Sequence, residues 1–152
     1  MRGTAFNKPR IGIYAIRRFN LNDYTDAAER HFFSAKTLLG AHPATASHCF
    51  GIAAECALKA LMCNLKPQSK KVSGNHLNKD LWSEFANHQT VQAHPSRAAW
   101  AQKYQAEFSG WDVNQRYLNR TDAQFNTARL AVQQRGAQGL VGLLQLVERG
   151  LA

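Results

Sequence analysis

Glu55 and Lys59 stand one helical turn apart in AAECALKALM (residues 53–62) and are the only charges in residues 50–65. An unpaired charge is too costly to bury, so each must meet water, the other, or a ligand. Glu ahead of Lys at i, i+4 is the favourable order for an ion pair. Steps of 7, 4 and 7 residues connect His48, Glu55, Lys59 and Lys66. On a helix those steps keep them within roughly 40° of one another, as one narrow polar stripe. The stripe is either a solvated seam with a salt bridge or a groove for an anionic or polar ligand, and Gly51 beside it leaves room for something to approach. A second stretch, GWDVNQRYLNR (residues 110–120), packs Trp111, Asp112, Gln115, Arg116, Tyr117, Asn119 and Arg120 together. Rings interleaved with guanidinium and amide groups suit stacking and planar hydrogen bonding to nucleic acids or nucleotides. The alternative is structural, with Asp112 and Arg116 pinning a connection and Trp111 filling the core.

Other chemistry is poorly represented. The chain has no Gly-rich phosphate loop, paired-cysteine zinc spacing, HExxH or G-x-S-x-G. His42/His48 and His88/His94 are each six apart, which opposes them across a helix. Cys49, Cys56 and Cys63 repeat every seven residues. That places neighbours roughly 10 Å apart on a helix, too far for a disulfide or one tetrahedral metal. They are expected as buried small hydrophobes in a reducing compartment. No metal and no cofactor is expected.

The chain has 152 residues, 45% hydrophobic and 19% charged, which fits one globular domain. No apolar run approaches bilayer length, and the basic N-terminus carries no signal-like pattern, so a cytoplasmic protein with no membrane partner is expected. The net charge of +9 is unevenly placed. Arg2, Lys8, Arg10, Arg17 and Arg18 precede the first acid, Asp23, and Lys66, Lys70 and Lys71 form a second cluster. Such a balance points to an anionic partner, or simply to solubility.

These residues must be positioned by helices. Residues 1–19 read as a basic arm, with RIGIYAIRRF either extended or a short edge strand, and 20–152 as the folded domain. A first helix is capped by Asn22 or Asp23 and stopped by Gly40. A second spans about 44–65 and is closed by Pro67. A third covers roughly 76–88. A fourth starts near Pro95, with Trp100, Tyr104 and Phe108 as its buried stripe. A last helix opens at Asn119 or Thr121. Its Gly136, Gly139 and Gly142, each costing about 1 kcal/mol relative to alanine, imply close helix approach or a kink. The fold class expected is an all-α, four- or five-helix up-and-down bundle. A central second helix would border a cleft, with His76 and Arg116 supplied by the two non-helical connections and Arg116 holding Glu55 ionised.

The stretches DAAERHFFSAKTLLG, SHCFGIAAECALKALM, GNHLNKDLWSEF and WDVNQRY together resemble the HEPN superfamily over roughly residues 23–85 and 111–145. The resemblance implies a HEPN-like bundle, commonly a homodimer, of the kind found in toxin–antitoxin and defence systems beside a nucleotidyltransferase. Many relatives are metal-independent ribonucleases using R-x4-6-H. Here Arg30 is followed at positions 35–37 by Ala, Lys and Thr, so that motif is lacking. The expected function is therefore a non-catalytic module binding RNA, a nucleotide or a nucleotidyltransferase partner. Its cleft would contain Glu55, Lys59, His76, Arg116 and Tyr117. Arg10, Arg17, Arg18, Lys66, Lys70, Lys71 and Arg120 would meet nucleic acid. The alternatives are a divergent ribonuclease using His76 with Arg116 or Arg120, and a structural interaction module.

Overall fold

The computed structural model describes residues 21–77 and 79–152. Within them the chain is all-α: six α-helices and three short 3-10 turns, with one isolated antiparallel bridge, Asn22–Gln68. The basic arm, including Arg10, Arg17 and Arg18, lies outside the described residues.

Helix α1 (Tyr24–Leu38) begins where the Asp23 carboxylate accepts the Asp26 N–H at 3.0 Å. It buries Ala28, Phe32 and Ala35, one stripe at helical spacing. A four-residue turn leads to α2 (Pro43–Met62), which starts on a proline whose missing N–H would be unpaired there anyway. Five buried alanines, Ala46, Ala53, Ala54, Ala57 and Ala60, let neighbours close around α2. It packs against α1, against the long C-terminal helix and against the short elements between them.

The second helix ends earlier than residue 65, and Pro67 is not what stops it. Asn64 and Leu65 take positive φ values of 52° and 60°, and the Leu65 N–H returns to the Ala60 carbonyl at 2.9 Å. The loop that follows is tied to the start of α1 by reciprocal Asn22–Gln68 backbone bonds of 2.6 and 3.0 Å. Three short helices come next: α3 (Lys79–Asn87), α4 (Gln89–Gln92) and α5 (Pro95–Gln102). His76 thus precedes α3 in the loop instead of opening it. The expected Trp100–Tyr104–Phe108 stripe is broken, because α5 stops at Gln102 and a 3-10 turn, Gln105–Phe108, re-phases the chain. Phe108 is buried, whereas Trp100 is 37% exposed.

Two further 3-10 turns, Val113–Tyr117 and Ala123–Phe125, precede α6 (Thr127–Glu148). Asn119 and Thr121 do not start the last helix, because the Asn119 side chain accepts the Thr121 N–H and hydroxyl in a local turn. Asn126 does, accepting the Arg129 N–H at 2.9 Å. The glycines of α6 serve close approach within the chain. A Cβ at Gly136 would meet Phe108 Cε2 at 2.6 Å, and one at Gly139 would overlap the Tyr104 ring. Gly142 faces open space.

Candidate functional site

The Glu55–Lys59 question resolves into a clamp. Both residues are 6% exposed. Lys59 Nζ donates to Glu55 Oε1 at 2.7 Å. Glu55 Oε2 accepts the Leu77 N–H at 3.1 Å and lies 3.2 Å from His76 Nδ1. Both carboxylate oxygens are therefore engaged, and the loop after α2 is fastened to its middle. The His76 ring remains 49% exposed, with Nδ1 turned to the carboxylate. Such a partner selects the Nδ1–H tautomer of a neutral imidazole. Lys66, at the far end of the expected stripe, is an exposed residue beyond the helix.

Arg116 and Tyr117 are not part of this clamp. They sit on the Val113–Tyr117 turn, which packs near the N-terminal end of α2. The reason is the residue between them and Trp111: Gln115 is buried and reaches Ser47. Turning its carboxamide so that oxygen faces the donors lets it accept from Trp111 Nε1 (2.9 Å) and the His48 N–H (3.1 Å), with Ser47 Oγ 3.0 Å away. Ser47 Oγ also lies 2.6 Å from Gln133 Oε1 on α6. This buried polar knot joins three elements. Trp111 fills the core beside it, and its indole occupies the space over Gly51. The expected room for a ligand at Gly51 is thus taken by the chain's own side chain.

With Gln115 turned inward, its neighbours face solvent. Tyr117 is 74% exposed, and the Arg116 guanidinium carbon lies 4.8 Å from its ring centroid. His48 stacks on Trp111 with ring planes 18° apart. Burial, reinforced by the positive charge of Arg116, pushes its pKa below the usual histidine value. Lys70, Lys71 and Arg120 are exposed. The three cysteines are unpaired thiols. Burial raises Cys56 to about 12 and Cys63 to about 11, so both are poor nucleophiles near neutrality.

A separate cleft of about 770 Å³ opens between α3, α5 and the segment 105–112. Trp82, Phe108 and Trp111 wall it, Leu77 reaches it from the clamp, and Gln102, Gln105 and Asp112 bring polar groups to it. Sequence periodicity gave no access to this cleft, because it depends on where α5 ends and how the 3-10 turn re-aims Phe108. Ser47 and Gln133 were equally hidden, lying 86 residues apart with no shared pattern. Among the described residues no group of three metal-ligating side chains occurs, and no helix is long and apolar enough to cross a membrane. No family model, curated protein or solved structure matches the chain.

Proposed function

We propose that this protein is a HEPN-like helical module that binds single-stranded RNA without cleaving it. The observation that carries the reading is the Arg116–Tyr117 pair, an exposed ring with a guanidinium over it. An exposed tyrosine offers a base a stacking face, and the arginine beside it supplies charge for the adjoining phosphate. The net charge of +9 and the exposed Lys66, Lys70, Lys71 and Arg120 favour the same class of partner. The clamp supports a binding reading for Glu55 and Lys59 themselves, since Glu55 has both oxygens committed to structural partners. The reading extends to a homodimer formed through α6, whose face at Gly142 is open, and to a nucleotidyltransferase as partner protein.

The test is fluorescence anisotropy of a short labelled single-stranded RNA at about 50 and about 200 mM salt. Affinity is expected to fall steeply with salt, by roughly 0.7 log unit per log unit of salt for each phosphate contact. Tyr117→Ala is expected to weaken binding by about 1–3 kcal/mol, the worth of one stacked base. Binding that is salt-insensitive and unaffected at Tyr117 would overturn the reading. A second reading has one observation behind it: His76, oriented by Glu55 and half-exposed, is placed as a general base would be. The RNA recovered from the same incubation decides. Intact RNA supports the binding module, and cleavage abolished by His76→Ala supports a divergent ribonuclease.

A further inference from the structure

His48 belongs to neither the clamp nor the Arg116–Tyr117 pair, yet it is built into the seam that holds the pair's turn. Its ring lies against Trp111, with centroids 6.0 Å apart and planes 18° from parallel. Gly51, about one helical turn further along α2, leaves the space that the rest of the indole fills. The Gln115 oxygen takes both the Trp111 Nε1–H and the His48 backbone N–H, so imidazole, indole and turn share one anchor. Inside this seam His48 Nδ1 is buried, and among the described residues nothing bonds to it. A bare ring nitrogen is tolerated as a lone pair, so the neutral ring carries its proton on Nε2. A second proton would have to sit on Nδ1, as a buried N–H with no acceptor.

The neighbours of the ring oppose that proton further. Contact between the Phe32 and Phe50 rings at 6.1 Å fixes α1 against this part of α2, and α1 contributes His31. The turn contributes Arg116, while α6 brings the uncharged Gln133 to Ser47. Among the described residues the opposing charge comes from Glu55, whose oxygens already serve Lys59 and the Leu77 N–H. A histidine freed from the seam takes its proton near the ordinary value of about 6.5. Acid therefore binds the released ring better than the packed one, and by linkage it favours release. We propose that acid unlatches the Val113–Tyr117 turn with His48 as the trigger: the protonated ring leaves Trp111, and the turn loses its seat on α2. The consequence for RNA, withdrawal of the Arg116–Tyr117 platform, rests on the RNA-binding reading. The latch itself does not.

Two protons in the seam report release without any RNA. They are the Trp111 indole N–H and the Gln115 backbone N–H, which donates to the Asp112 carbonyl at 3.0 Å. Their exchange is followed by NMR from about pH 7.5 to about pH 5, either side of the ordinary histidine value, and corrected for the intrinsic pH dependence of exchange. The opening constant is expected to rise below a pH of about 6.5, by up to roughly tenfold per pH unit, the limit for one linked proton. Amides of residues 53–61 should stay protected over the same range. His48→Phe can keep a ring on Trp111 and takes no proton, so its opening constant should not change with pH. His48→Gln, a smaller neutral side chain, gives the same reading if phenylalanine is not accommodated. Arg116→Gln removes a neighbouring positive charge and should blunt the acid response. Opening that is independent of pH, an acid rise that persists in both His48 variants, or a rise shared by residues 53–61 would each overturn the latch. Binding of the labelled single-stranded RNA should weaken in acid for the wild-type chain and not for His48→Phe. Acid release in a chain that binds RNA at neither pH would keep the latch and sink the RNA reading. RNA affinity that rises in acid alike in both proteins, as added charge alone would cause, would overturn the link between latch and binding.

Discussion

Glu55 shows how one carboxylate can hold three other groups in place. Stranding a charge inside a fold costs more than the pair itself contributes, because the orphaned ion keeps its desolvation penalty. Glu55→Ala leaves Lys59 buried without its partner and frees the Leu77 N–H. It is expected to lower stability by about 3–5 kcal/mol, read by urea denaturation. The double change Glu55→Leu with Lys59→Met removes both charges and should recover a large part of that loss. The exposed Asp26–Arg30 pair has the same i, i+4 spacing, yet Arg30→Ala should cost no more than about 0.5 kcal/mol. Equal losses from Glu55→Ala and the double variant would show that the clamp is held by something other than charge. At this scale the sequence was informative about position but not about partner. The apolar run around Glu55 singled out that charge and its Lys59 neighbour but left open whether they meet water, each other or a ligand. It also suggested Arg116, which the burial of Gln115 directs elsewhere.

At the scale of elements, two glycines in helices behave in opposite ways. In α2, a Cβ at Gly51 would overlap the Trp111 indole, which is itself anchored by its bond to the Ser47 carbonyl at 3.1 Å. Alanine gains up to about 1 kcal/mol of helix propensity, but overpacking of this kind costs about 1–3 kcal/mol. Gly51→Ala is therefore expected to destabilise and to blue-shift or red-shift tryptophan emission as Trp111 moves. Gly142→Ala meets nothing within its own chain and should stabilise the protomer by about 0.5–1 kcal/mol in thermal melts at a concentration where it is monomeric. A neutral Gly51→Ala would mean that the indole yields easily. Helices with strong periodicity, α1, α2 and α6, were legible from their residue spacing. The region 95–125 was not. There α-helix gives way to 3-10 turns within a few residues, and Asx side chains compete with helix starts, so a 3.6-residue period carried through it misplaces Trp100 and the beginning of α6.

The whole molecule is organised around α2, which has α1, α6, α3, α4 and the Val113–Tyr117 turn on its flanks. All-α architecture was visible in the sequence. What was not visible was that long-range ties, and not the helix order, decide which residues share a site. The Ser47–Gln133 and Gln115–Ser47 bonds connect residues 86 and 68 positions apart. Proximity at such separation leaves no trace in local periodicity, and so the cleft and the polar knot emerge only from the assembled chain.

The polar knot has a consequence for the order in which the molecule comes apart. Because Ser47 is tied to α6 and to the 3-10 turn, α2 cannot be exposed piecemeal. Water reaches its backbone only after those elements have left. Local opening elsewhere is cheaper, since residues 117–124 have mostly exposed side chains and short-range bonds. Amide hydrogens of residues 53–61 are therefore expected to exchange at the rate set by global unfolding, and those of 117–124 far faster. Ser47→Ala should bring the α2 amides toward the faster group. Slow exchange that persists in Ser47→Ala would assign the protection to apolar packing alone and leave the knot a passenger in the fold.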